Sequence, residues 1–230
     1  MLITIWSVKG GSGVSVVAAG LASVLSESPD SSGGRARCGS LLVDLGSDQP
    51  AVLGLATPEG PGLNDWLATP SADSDALRRL EVEVSPSMSL MPTGSLAGPA
   101  SGAVDEPSWS GEREMLLADL LAEDGRSVVV DGALGAAPAR TLAAAGLSLL
   151  VVRPCYLALR RAVRDGVRAD GVILVEEAGR ALDAMDVSRA LALPVLCTVE
   201  IEASVARAVD AGLLVSRLPR RFVRSLEAIA

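Results

Sequence analysis

An apolar run, MLITIW, passes without a break into SVKGGSGVSVV, residues Ser7 to Val17. A strand that feeds a glycine loop and then an aliphatic helix opens a βαβ unit, which commits the chain to a parallel sheet. The remainder keeps that rhythm. Strand patterns fall at Leu2–Val8, Leu41–Leu45, Ser89–Pro92, Ser127–Asp131, Ser148–Val152, Gly171–Val175 and Val195–Val199. Helical patterns lie between them, at Gly13–Leu25, Asp73–Leu80, Glu112–Glu123, Pro138–Ala145, Leu157–Val167, Arg180–Ala190, Ser204–Ala211 and Ser216–Ile229. This alternation predicts an α/β fold: a doubly wound, mostly parallel sheet with helices on both faces.

Composition agrees with that fold and narrows the chemistry. Apolar residues make up 49% of the 230 and aromatics only 2%, so the core must be aliphatic, as suits strands buried on both faces. The length suits one domain over residues 1–230. Two Ser/Gly/Pro-rich stretches read as loops, at about 26–38 and 94–111. Cys38, Cys155 and Cys197 are too few and too scattered for a disulfide framework or a zinc site, which points to reduced cytoplasm. The apolar runs are strand-length, so no membrane span is expected, and no basic segment precedes the first run as a signal peptide requires. Histidine is absent, which removes Ser-His-Asp and Cys-His catalysis. The net charge of −8 argues against a general nucleic-acid coat. It is unevenly spread. Residues 1–152 carry 8 basic and 18 acidic side chains, whereas residues 153–230 carry 12 and 10.

In an open parallel sheet, ligands bind beyond the carboxyl ends of the strands. Lys9, Asp44, Asp131, Arg153 and Glu176 stand just past or at those ends. In KGGSGVS, residues Lys9 to Ser15, the glycines Gly10, Gly11 and Gly13 let successive backbone N–H groups turn toward an anion. The following helix adds its positive end. Ser12, Val14 and Val16 complete the loop and helix start. Ser15 is placed to offer its hydroxyl to Mg²⁺, and Asp131, closing SVVVD, to hold the same ion directly or through water. Asp44, closing SLLVD, is a carboxylate suited to orient an attacking water. Lys9 is the only lysine among 20 basic residues, which suggests that a compact ammonium is needed there.

These residues resemble those of the MinD/ParA family of deviant Walker-A ATPases, whose loop reads K-G-G-x-G-K-[TS]. LLVDLGSDQPAVLGL resembles the family's second strand. GLNDWL and SLMPTG are similar to its middle segment. VVVDGALG resembles the D-x-P-P-G stretch, with Asp131 and Gly135 kept and both prolines lost. VARAVDAGLLVSRLPRRF resembles its C-terminal helix pair. The resemblance spans nearly the whole chain and is closest to the CpaE/TadZ-like branch, which accompanies pilus and secretion machinery in bacteria. It implies a P-loop fold, ATP or ADP with Mg²⁺ as ligands, and a homodimer across which Lys9 reaches the partner's nucleotide. It also implies protein partners in a positioning or assembly system.

Three departures fall on one site. Val14 takes the place of the phosphate-holding lysine, a charge worth roughly 4 kcal/mol at 4 Å and an effective dielectric near 20. Glu176 stands where an asparagine would read adenine, and a carboxylate cannot donate to the ring's acceptors. The prolines after Asp131 are gone. Arg153 either replaces the lost charge or pairs with Asp131 or Glu176 in a structural ion pair. Arg160, Arg164 and Arg168, with Arg161 beside them, form either a solvated helix face or a DNA-binding surface. Leu218, Phe222, Leu226 and Ile229, flanked by arginines, make either an anionic-membrane helix or the closing helix of the fold. Two functions follow: a degenerate scaffold with weak or absent hydrolysis, or an active ATP-dependent dimerising switch. A dinucleotide oxidoreductase is excluded, because valine stands at the third glycine of G-x-G-x-x-G and no acid–base pair is visible.

Overall fold

Strand residues alternate between two burial environments along nearly every strand, and this alternation organises the molecule. The computed structural model describes residues 1–27, 39–94, 110–135 and 138–230. The first half runs β1 (Leu2–Trp6), α1 (Val14–Glu27), β2 (Ser40–Asp44), α2 (Gln49–Leu53), α3 (Leu63–Leu67), α4 (Ser74–Arg78), β3 (Val82–Ser85), β4 (Met88–Met91) and α5 (Gly111–Ala122). The second runs β5 (Ser127–Asp131), α6 (Ala139–Ala145), β6 (Leu147–Val152), α7 (Tyr156–Arg164), β7 (Gly171–Glu176), α8 (Ala184–Leu191), β8 (Val195–Glu200), α9 (Ala203–Asp210) and α10 (Arg220–Leu226). The strands form one sheet in the order β3-β4-β2-β5-β1-β6-β7-β8. Every pairing is parallel except β3 with β4, which the two-residue connection Pro86–Ser87 can join only as an antiparallel pair.

Leu42, Val129, Val151 and Ile173 face one side of the sheet, against α1, α9 and α10. Their neighbours Leu41, Val43, Val128 and Val130 face the other, where α3, α5 and α6 cover them. Leu150, Val152, Val172 and Leu174 continue that second side under α7 and α8. Helix α1 is buried nearly all round, from Val17 to Leu25, as its almost uncharged sequence requires. Leu63, Trp66 and Leu67 join the core of the second side, with the Arg113 guanidinium stacked 3.6 Å over the Trp66 ring.

The tail corrects one boundary. Pro219 breaks the expected 216–229 helix into a 3₁₀ turn at Val215–Arg217 and α10. The apolar side of α10 packs into the fold: Phe222 and Leu226 lie in the main core, and Gly20 of α1 has no room for a Cβ beside Phe222. The closing-helix alternative holds. The basic stripe is also shorter than its spacing suggested, since α7 ends at Arg164 and Arg168 lies beyond it. The loops expected at 26–38 and 94–111 fall mostly outside the described residues. At their described ends, Ser26 and Glu27 extend α1, and Gly111 opens α5. Among the described residues, no helix is long and apolar enough to cross a membrane.

Candidate functional site

Ser7 leaves β1 and donates its backbone N–H to the Ala133 carbonyl at 2.9 Å, which ties the glycine loop to the end of β5. Two hydroxyls then close the loop on itself. Ser12 donates to the Lys9 carbonyl at 2.7 Å, and Ser7 Oγ donates to Ser12 Oγ at 2.9 Å. With Ser12 turned inward, the ligand side of the loop is backbone. Gly11 and Gly13 take φ of 74° and 95°, open to glycine, and no atom lies within 4 Å of where a Cβ would stand on Gly10 or Gly11. The Lys9 N–H donates to Ser7 Oγ at 3.3 Å, and the next N–H with an internal acceptor is that of Val17, which donates to the Gly13 carbonyl. Among the described residues, the N–H groups from Gly10 through Val16 donate to nothing. They border a hollow of about 600 Å³ that also takes in Lys9, Asp48, Ala133 and Leu134. Unpaired N–H groups at a helix start form an anion cradle.

At the start of α1 the cradle is apolar. Val14, only 8% exposed, belongs to the aliphatic core under α1. Lys9 lines the rim, its ammonium 3.4 Å from the Gly10 carbonyl. Beneath the loop, parallel pairing sets Asp44 and Asp131 side by side, both fully buried. Asp44 Oδ1 accepts the N–H groups of Gly46 and Ser47 at 2.9 and 2.8 Å, and Oδ2 accepts that of Gln49 at 3.2 Å. Burial, and then the Asp131 charge, push the Asp44 carboxyl up to about 7 against those three bonds. Burial likewise raises Asp131, opposed by bonds from Ser15, Gln49 and Ala133.

Gln49 was missed by sequence reasoning. Its side chain is fully buried, and Nε2 donates to Asp131 Oδ2 at 2.8 Å and to the Ser15 carbonyl at 3.0 Å. Asp131 Oδ1 accepts the Ala133 N–H at 3.1 Å. The expected Mg²⁺ ligands, Ser15 and Asp131, are therefore bridged by the Gln49 amide, and both carboxylate oxygens are engaged by internal donors. Among the described residues, no cluster of three or more carboxylate, histidine or cysteine side chains is gathered to hold a metal. In this arrangement the donor set does not fit the ion. Asp48 was also missed; it is exposed at the cradle, where Asp44 is sealed away.

The remaining candidates are dispersed. Arg153 lines an adjoining hollow with Gly13, Val175 and Ile201, and its side chain makes no ion pair or hydrogen bond among the described residues. Its Nε is buried without a partner, so the structural pair with Asp131 or Glu176 does not form. Glu176 is exposed in a different hollow, beside Asp183, Glu200 and Arg221. Gly135 sits under the Trp6 ring, away from the cradle, where φ of 71° and the indole both exclude a side chain.

This fold also occurs in solved structures. The ParA family ATPase from Chlorobium tepidum superposes with a TM-score of 0.75 at 18% identity, over 100% of this chain and 98% of that one. The chain has the MinD/ParA fold. MinD from Pyrococcus horikoshii, solved with Mg-ADP, gives 0.67 at 17% identity, over 98% and 92%. MinD in the MinC:MinD complex of Aquifex aeolicus gives 0.69 at 15%, over 99% and 93%. No family profile and no curated relative matches the sequence. Ala133, at the place of the first proline in the D-x-P-P-G stretch that this segment resembles, has φ of 47°, a value closed to proline.

Proposed function

We propose that this chain is a degenerate MinD/ParA-like protein that acts as a dimeric scaffold for spatial positioning or assembly. Pilus or secretion machinery, as in the CpaE/TadZ-like branch, is the apparatus it would serve, with weak or absent ATP hydrolysis. The observation that carries this is Val14. A cradle of backbone N–H groups keeps its shape, while the side chain that would clamp phosphate is an aliphatic group packed in the core. Asp44 supports the same reading, since a carboxylate with no exposure and three backbone donors holds a turn and presents no oxygen to solvent. Lys9, at the exposed rim, is the residue available to a second copy.

Arg153 favours a second reading, the ATP-dependent dimerising switch. An unpaired guanidinium beside Gly13 is a cation within the same crevice. Calorimetry with ATP·Mg²⁺ and a phosphate-release assay separate the two. The scaffold predicts no release by the wild type, and binding tighter by about tenfold or more in Val14→Lys. Release by the wild type that Arg153→Ala abolishes would sink the scaffold and establish the switch.

A further inference from the structure

The bond pattern around Gln49 is unusual for a buried amide. Both hydrogens of Nε2 are spent on oxygens, Asp131 Oδ2 on β5 and the Ser15 carbonyl on α1, so one nitrogen bridges the two elements. The amide orientation follows from these partners, because the flipped form would set an acceptor against two acceptors. Its own Oε1 is left buried without a partner, which is unfavourable for a carbonyl oxygen removed from water. Gln49 thus gives up one hydrogen bond to keep a donor between a carboxylate and the helix start. Its position is fixed from behind as well, by its backbone N–H on Asp44 and by Pro50, which follows it into α2.

We propose that the Gln49 amide stands in for the divalent cation between Asp131 and the start of α1, so that the cradle is assembled without Mg²⁺. A divalent ion in this fold would meet the Asp131 carboxylate beside Ser15. The amide meets the same carboxylate and the Ser15 carbonyl with two N–H dipoles, and it holds β5 against α1 by neutral means. The inference rests on the cradle described above and is independent of whether ATP is turned over.

Thermal unfolding in EDTA and in 10 mM MgCl₂ tests it, with no nucleotide present. The wild-type Tm should differ by less than about 1 °C between the two. Gln49→Ala should melt lower in EDTA, because Asp131 Oδ2 loses its amide donor. It should regain about 3 °C in magnesium as the ion enters the vacated place, the gain expected of a millimolar site. Gln49→Glu, which keeps the length and adds a carboxylate, should show the larger recovery and serves if the alanine variant does not fold. A wild type stabilised by magnesium overturns the proposal by itself. So does a Gln49→Ala or Gln49→Glu protein that is destabilised and not recovered, since that marks a packing residue only. None of these outcomes depends on phosphate release, so the scaffold reading stands or falls separately.

Discussion

Ala133 shows how one backbone angle can exclude a whole motif. Its φ of 47° places an L-residue in the left-handed region. The turn is held there by its N–H on Asp131 Oδ1 and its carbonyl under the Ser7 N–H. Ala133→Gly should therefore raise stability, by about 0.5–1 kcal/mol once glycine's greater unfolded freedom is subtracted. Ala133→Pro should lower it by about 3 kcal/mol or more, since the ring forbids the angle and removes the donor to Asp131. Urea unfolding of both variants checks the pair; a proline variant as stable as wild type would mean that the turn is not held as described. The glycine loop was legible in the sequence at this scale, because its residues are contiguous. Gln49 was not. Its partners stand 34 and 82 positions away, and no local pattern marks a glutamine whose value lies in two distant oxygens.

At the scale of elements, hydrophobic pattern was enough to find the parallel strands, and it failed where polar residues interrupt it. Strand β3 reads Val82-Glu83-Val84-Ser85, a period-two alternation suited to a half-buried edge, yet Glu83 and the preceding Glu81 hid it among turn residues. Short helices such as α2 and α3 were missed because five residues are too few to show a period. The tail illustrates the reverse problem. A basic, amphipathic sequence suits a membrane surface and a protein core equally, and only packing decides. Here Phe222 and Leu226 fill the space that Gly20 leaves on α1. Phe222→Ala should cost about 3–5 kcal/mol, as a large buried aromatic does. Truncation before Arg220 should leave a chain without a cooperative melt by circular dichroism. A truncated protein that folds normally would show that α10 is dispensable to the core.

Strand order acts on the whole molecule, and no sequence pattern reveals it. Inserting β5 between β2 and β1 brings Asp44 beside Asp131, although the two are far apart in the chain. Two buried carboxyls at one sheet edge make folding stability depend on pH. The Asp44 carboxyl is raised from 3.8 to about 7 by burial first and the Asp131 charge second. The native state therefore holds this proton more tightly than the unfolded chain does, and the contribution is fully present below about pH 4. It is lost as pH rises through 7, a decline on the order of 4 kcal/mol at about 1.4 kcal/mol per unit. Asp131 is raised too and acts in the same direction. Asp124, held low by hydrogen bonds from Arg126 that outweigh its own burial, acts the opposite way and loses its contribution in acid. The balance predicts a urea midpoint that falls from pH 5 to pH 7.5. Asp44→Asn should flatten that slope: its amide oxygen can still accept from Gly46 and Ser47, and only the Gln49 N–H loses an acceptor. Matching slopes in the two proteins would mean that Asp44 titrates elsewhere and that the carboxylate pair is not what couples this fold to protons.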